Sequence, residues 1–286
     1  MLFATRGSRA SDSANDRADD WAEEWPEERA GIWPKQPAAA SAALAKVPAV
    51  TLGFWVIKIL ATTLGETGGD TLSMTYDFGY LVSSALFVVP LLVLVALQIR
   101  AERFHPLLYW ATILASTTAG TTMADFATRS LGIGYAGGTL LLLTAVALSL
   151  AAWRAATGSI AVETVRSAKS EGFYWLTITI SQTLGTALGD WAADDGGLGY
   201  LGGAALFGGA LLVLLVLWRG TSISRVLLFW AAFILTRPLG ATVGDFLDKP
   251  LAKGGLDFSR PLASVALCCG ILLLVTFVPQ RAGSHR

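Results

Sequence analysis

"WVIKILATTLGETGGD", residues 55–70, decides the fold, because three later stretches follow the same plan: "WATILASTTAGTTMAD" (110–125), "WLTITISQTLGTALGD" (175–190) and "WAAFILTRPLGATVGD" (230–245). In each, Gly follows Trp by ten residues and Asp follows it by fifteen. The members are Trp55, Gly65 and Asp70; Trp110, Gly120 and Asp125; Trp175, Gly185 and Asp190; and Trp230, Gly240 and Asp245. The tryptophans are 55, 65 and 55 residues apart, so copies one and three, like copies two and four, are offset by 120. Self-similarity at a fixed spacing marks a repeat architecture, here a unit doubled and then doubled again. After each of the first three Asp residues a Gly-Tyr pair opens the next segment, at Gly79-Tyr80, Gly134-Tyr135 and Gly199-Tyr200; the fourth copy has Gly254 and Gly255 in a longer loop instead.

Between and around these stretches the chain is apolar. Of its residues 53% are hydrophobic and only 15% charged, with a mean hydropathy of +0.56, the balance of a polytopic membrane protein. Eight segments, near 48–70, 79–99, 106–126, 134–153, 172–192, 199–218, 225–247 and 261–279, are each long enough for a hydrocarbon core of about 30 Å. The expected fold is therefore all-α and integral to the membrane. Eight transmembrane helices form four two-helix repeats of the same orientation, with pseudo-twofold or pseudo-fourfold symmetry about the membrane normal, since two spans return the chain to the side it left. The expected divisions are a disordered cytoplasmic tail (1–46), repeat 1 (47–100), repeat 2 (101–154), a cytoplasmic linker (155–171), repeat 3 (172–219), repeat 4 (220–280) and a short cytoplasmic tail (281–286). The first tail carries dense mixed charge and proline and lacks the layout of a signal peptide.

Short-loop charges orient the chain. Arg100, Arg103, Arg154, Arg166, Lys169, Arg219, Arg225, Arg281 and Arg286 fall on one side, against Arg129, Lys249, Lys253 and Arg260 on the other. The excess of basic residues puts both termini in the cytoplasm of a bacterium, with the spans in its inner membrane. Trp55, Trp110, Trp175 and Trp230 are read as anchors at the inner interface, and Trp153-Arg154 and Trp218-Arg219 as aromatic-then-basic span ends.

On these residues the chain resembles a family of bacterial multi-pass proteins, often labelled "membrane-anchored protein", built from four tandem two-helix repeats of unknown function with one tryptophan per repeat. The resemblance covers about residues 46 to 280, and "KVPAVTLGFWVIKILATTLGET" (46–67) is similar to the family's opening signature. It implies topology and no chemistry.

Chemistry has to come from the polar positions. Fifteen residues at 1.5 Å each put every Asp about 22 Å beyond its Trp, so four carboxylates share one depth in the outer half of the bilayer. Thr63, Glu66 and Asp70 lie on one helix face, as do Thr118, Thr121 and Asp125, and Thr183, Thr186 and Asp190. The fourth copy departs, with Pro238 and Ala241 before Asp245 and Arg237 beside the stripe. Gly65 and Gly69, Gly120 and Ala124, Gly185 and Gly189, and Gly240 and Gly244 are small-xxx-small pairs that let helices approach closely. Ionised carboxylates at such depths are costly and mark a functional site by default. Glu66, Asp70, Asp125, Asp190 and Asp245 outnumber Lys58 and Arg237, and Lys58 is expected to snorkel to the cytoplasm.

The expected function is transport, most simply export, of a hard cation such as Mn²⁺ or another divalent ion, with H⁺ as coupling ion or competitor. Carboxylates, Thr hydroxyls and backbone carbonyls suit such ions. Glu66 with Asp70 and Asp190 forms the first ligand set, Asp125 with Asp245 the second, and Thr63, Thr118, Thr121, Gln182, Thr183 and Thr186 line the pathway. Arg237 and Lys58 are the charge partners. The alternative is a non-transporting scaffold or sensor, whose aspartates serve packing. No enzyme is expected. His105 and His285, the two histidines, lie outside the spans, which removes a buried His triad or a His-rich zinc centre. Adjacent Cys268 and Cys269 point about 100° apart and read as packing residues. An intramembrane aspartyl protease is a remote alternative: neither Gly189-Asp190 nor Gly244-Asp245 has the Gly two residues earlier that such a motif carries, and a protease dyad needs two carboxylates instead of four equally spaced ones. No tightly bound cofactor is expected. The partners are the lipid bilayer and a small inorganic cation, with a homo-oligomer left open and nucleic acid excluded by the neutral charge.

Overall fold

The computed structural model describes residues 46–283; apart from Lys46, the expected N-terminal tail lies outside them. Eight α-helices make up most of the described chain: α1 (Leu52–Asp70), α2 (Gly79–Arg100), α3 (Pro106–Asp125), α4 (Gly134–Thr157), α5 (Ala168–Asp190), α6 (Gly199–Gly220), α7 (Arg225–Asp248) and α8 (Arg260–Phe277). Their starts follow local chemistry. The Thr51 hydroxyl accepts from the Phe54 amide at α1, a Ser167–Ser170 capping box opens α5, and proline sits in the first turn of α3 and α8.

Helices α2, α4, α6, α7 and α8 are long and apolar enough to cross a membrane, which marks a membrane protein. The other three, α1, α3 and α5, are diluted by Thr, Ser, Gly and acidic residues, and the packing explains how they tolerate it. Helices α1, α3, α5 and α7 pack side by side in a closed ring, each touching the next and α7 touching α1. Each remaining helix leans on the ring helix of the following copy: α2 on α3, α4 on α5, α6 on α7, and α8 on α1. Polar side chains of the ring helices point into the bundle, while the surrounding helices expose Leu and Val such as Leu92, Leu140, Leu212 and Leu262.

The repeated glycines form the joints of the ring. A Cβ on Gly65 would collide with Thr117, on Gly185 with Arg237 and on Gly240 with Thr62, and on Gly120 it would lie 3.0 Å from Gln182. In every case the intruding residue stands seven positions after the Trp of the next copy. One turn on, Gly69 receives Thr121 at 3.0 Å, Gly244 receives the Glu66 Cβ at 2.7 Å and Gly189 receives Ala241 at 3.1 Å. The small residues thus set the register between copies, because only Gly admits the neighbour's side chain at that helix spacing.

At the tryptophan end an aromatic residue precedes each Trp: Phe54, Tyr109, Tyr174 and Phe229. Each leans on the Trp of the next copy, Phe54 on Trp110 at 5.5 Å, Tyr109 on Trp175 at 5.6 Å, Tyr174 on Trp230 at 6.3 Å and Phe229 on Trp55 at 5.8 Å between ring centroids. The Tyr109 and Tyr174 hydroxyls share a 2.7 Å hydrogen bond. This cluster corrects the expectation of interfacial anchors. Trp110, Trp175 and Trp230 are buried and Trp55 half-buried, and Trp153 is enclosed against Tyr174 and Trp230. Ring closure turns these indoles inward, where aromatic contact replaces the headgroup region.

The two ends of the described chain meet beside this cluster. The Ala49 amide donates to the Arg281 carbonyl and the Gly283 amide to that of Val47, while Lys46 pairs with Glu171 at 2.6 Å.

Candidate functional site

From the aromatic end, the first polar group inside the ring is Lys58. Its side chain is fully buried, with the ammonium 4.2 Å above the Phe233 ring and 3.4 Å from the Gln182 Oε1. It does not snorkel: Phe233 and Gln182 from α7 and α5 hold it inside the ring, away from the aqueous end its sequence position suggested.

Next comes a hub built on Arg237. Its Nη2 donates to the Glu66 Oε2 at 2.9 Å, to the Thr121 hydroxyl at 2.6 Å and to the Thr186 hydroxyl, and its Nη1 reaches the Thr62 carbonyl at 3.5 Å. One fully buried guanidinium from α7 therefore touches α1, α3 and α5, binding all four ring helices at one level. Copy four differs around it, with Pro238 where the other copies carry Thr63, Thr118 and Thr183, and Ala241 where they carry Glu66, Thr121 and Thr186. Thr121 and Thr186 join the hub through their hydroxyls. Thr63, Thr118 and Thr183 are buried too, but their hydroxyls donate back to Ile59, Leu114 and Thr179 on their own helices.

The four aspartates close the file at the far end, all buried. They are shared by cations between ring neighbours. Arg129 holds Asp125, four residues earlier, at 2.9 Å and reaches on to Asp190 at 3.2 Å. Lys249 holds Asp245, again four earlier, at 2.9 Å and reaches on to Asp70 at 2.6 Å. Copies two and four thus supply the clasping cation, whereas copies one and three carry Met74 and Asp194 at that offset. The pairing therefore differs from the across-ring sets expected, Asp70 with Asp190 and Asp125 with Asp245, because a cation one turn past its own Asp can reach only the adjacent helix. Arg260 adds a second layer, 3.3 Å from Asp248 and 3.9 Å from Asp70.

The sequence count of uncompensated acids also changes. By sequence Arg129, Lys249 and Arg260 are outer-side loop charges; the structure sets them among the carboxylates and largely balances the cluster. Burial disfavours charge on Lys249, yet Asp245, Asp70 and Asp248 outweigh it and hold its ammonium well above the usual lysine range. Arg129 is raised likewise, with Asp125 and Asp190 prevailing over desolvation.

Glu66, Asp70 and Asp245 come closest to a metal-ligand set. One carboxylate oxygen from each lies within 4.8 Å of the others, a spacing that one hard cation could bridge. Asp125 and Asp190 lie outside this triad, tied to Arg129. The sequence reading missed Arg129, Lys249, Asp248 and Arg260; the signal present was Asp-x-x-x-Arg and Asp-x-x-x-Lys in the even copies alone. It also passed over the aromatic residue before each Trp.

The first three aspartates are followed by one wide turn each, Thr71–Thr75, Phe126–Ser130 and Trp191–Asp195, and then by a glycine at positive φ, Gly79, Gly134 or Gly199. That backbone favours Gly, and the Tyr after it is thereby placed: Tyr80 and Tyr135 flank the Arg129 guanidinium at 6.0 and 5.6 Å.

Among known families, a model described as "Repeat of Unknown Function (DUF347)" matches four times, over residues 53–104, 108–159, 173–224 and 228–282. Each match takes in one ring helix and the helix that follows it. No curated protein and no solved structure matches the chain.

Proposed function

The chain belongs to that repeat family, and from this premise we propose that it is an eight-span transporter of a small hard cation. In this reading all eight helices cross the membrane, as four repeats of one orientation about an axis along the membrane normal. The three polar ring helices are shielded from lipid by the others. The excess of basic loop residues supports a cytoplasmic location, at a bacterial inner membrane, for the aromatic end and both termini; the hydrogen bonds between the ends of the described chain put both at one face.

One observation carries the reading: the Lys249 ammonium sits between Asp70 and Asp245, and these two form with Glu66 the only such carboxylate group among the described residues. An ammonium in that position stands where a cation would bind. Lys249 lies just beyond the end of α7, on the loop side, so it can leave the pair as the ion arrives and return as it departs. Arg237 stands in the same relation to Glu66. Exchange of an internal cation for an external one keeps the buried carboxylates neutralised throughout, which avoids the large cost of bare buried charge. An all-oxygen ligand set suits Mn²⁺, Mg²⁺ or Ca²⁺, and protons compete for the same oxygens.

The test is flux. In proteoliposomes with a panel of divalent ions and an internal pH dye, wild type moves Mn²⁺ or a congener, and Asp70→Asn or Asp245→Asn abolishes it. A wild-type protein that moves neither metal nor protons rules the reading out. A second reading, a scaffold, is favoured by the way every clasp joins two helices; it expects no flux in any variant and a loss of thermal stability in each Asp→Asn protein.

A further inference from the structure

Above the aspartate clasps, at the end of the bundle remote from the tryptophans, lies a cavity of about 570 Å³. Its charged lining is one-sided. Arg129, Lys249, Lys253 and Arg260 face it, against one acid, Asp194. These are the same four basic residues that the loop-charge count places on the minority side of the membrane. Basic residues are disfavoured on that side by the topology rule, so their convergence on one cavity asks for a cause of its own. The aspartates account for part of it, yet they lie buried beneath the wall and leave donors over. Among the described residues Lys253 makes no ion pair, and Arg260 is tied only loosely, its Nε 3.3 Å from Asp248 and 3.9 Å from Asp70 and without a hydrogen bond.

A second, independent feature points the same way. Gly199 and Tyr200, the first turn of the 22-residue helix α6, line the same cavity. The residue before them, Leu198, offers no side-chain acceptor to cap that turn. The start of α6, with its positive dipole end and no side-chain cap, therefore lies at the wall of the space that the four cations line, and such a helix start attracts a compact oxyanion. A carboxylate has two acceptor oxygens; a phosphate presents more, with up to two charges, and matches a ring of Arg and Lys donors plus backbone N–H groups better.

We propose that this cavity is a binding site for a phosphate group, held by Lys253, Arg260 and the start of α6, with Arg129 and Lys249 forming its floor. The assignment does not depend on the cation reading, and the measurement below contains no divalent ion. The phosphate is that of the free inorganic ion or of an anionic lipid headgroup at the membrane surface.

Full-length protein, stripped of lipid in a neutral detergent, is titrated with inorganic phosphate by calorimetry and by thermal unfolding, with chloride at matched ionic strength as control. Phosphate should bind and raise Tm where chloride does not. Lys253→Gln should weaken binding roughly tenfold, the effect of one lost charge-assisted hydrogen bond, while leaving the unliganded Tm unchanged because Lys253 is exposed. Arg260→Gln should weaken it further. In nanodiscs, competition by phosphatidylglycerol but not phosphatidylcholine identifies the lipid headgroup as the source, and absence of competition identifies the free ion. Phosphate no better than chloride together with no preference for phosphatidylglycerol overturns the proposal, as does unaltered phosphate affinity in Lys253→Gln.

Discussion

Arg237→Met removes the guanidinium that binds the four ring helices together. The structure sets the size of the effect. Arg237 is fully buried and Glu66 only 2% exposed, and without its partner at 2.9 Å the Glu66 carboxylate keeps only a long 3.5 Å contact to Thr121. Stranding one half of a buried ion pair costs about 3–5 kcal/mol. At roughly 2–4 °C per kcal/mol for a chain of this size, Tm should fall by roughly 6–20 °C. The double variant Glu66→Met/Arg237→Met removes both charges and refills the space, so it should recover most of the loss; Thr121 still bonds the Thr117 carbonyl at 3.1 Å. The cycle is read by thermal unfolding in detergent through tryptophan fluorescence, since the buried aromatic cluster reports on the whole ring. A coupling of at least about 2 kcal/mol is expected between the two sites. Simple additivity, or a single Arg237→Met protein within about 1 kcal/mol of wild type, would refute the idea that this pair governs the core.

Three further outcomes follow from the geometry. Gly185→Ala drives a methyl into the Arg237 stem and should cost about 1–3 kcal/mol, whereas Gly172→Ala on the same helix, with nothing within 4 Å, should gain up to about 1 kcal/mol; equal effects in chemical denaturation contradict the glycine joints. Tyr109→Phe leaves the Tyr174 hydroxyl without its partner and should destabilise by about 1–3 kcal/mol, with Tyr109→Phe/Tyr174→Phe milder than either single change, and the reverse order disproves a shared hydrogen bond. For Lys249, held above its usual range mainly by Asp245 and Asp70 against burial, the stabilisation is complete below about pH 10.4 and fades as pH rises through the higher folded value. Wild type should therefore soften in alkali while Lys249→Arg, charged throughout, resists; matching alkaline Tm profiles count against the clasp.

The spacing of Trp, Gly and Asp was enough to place the helices, because a repeated register survives in the letters themselves. The sequence also marked Gly65, Gly120, Gly185 and Gly240 as sites of close approach. Their partners stayed hidden, since the residue each admits, seven places after the next Trp, is named only once the ring closes. The same limit applied to Lys58. Three residues past Trp55 it reads as a surface side chain, and only the inward turn of that Trp shows the lysine to be enclosed. For Arg129 and Lys249 the i to i+4 relation to Asp was legible, yet their loop positions suggested topology more than chemistry. Which second aspartate each would grasp depends on the neighbouring helix, and no single copy contains that information.

The hydrogen-bonded chain ends have a topological consequence. With Ala49 joined to Arg281 and Val47 to Gly283, and α8 lying on α1 as α2 lies on α3, the bundle has no preferred starting point. A gene recut in the segment between α4 and α5, with a short tether across the old ends, would translate the copies in the order three, four, one, two and still rebuild every neighbour relation. Such permuted chains make the order of synthesis an experimental variable, separable from the finished architecture.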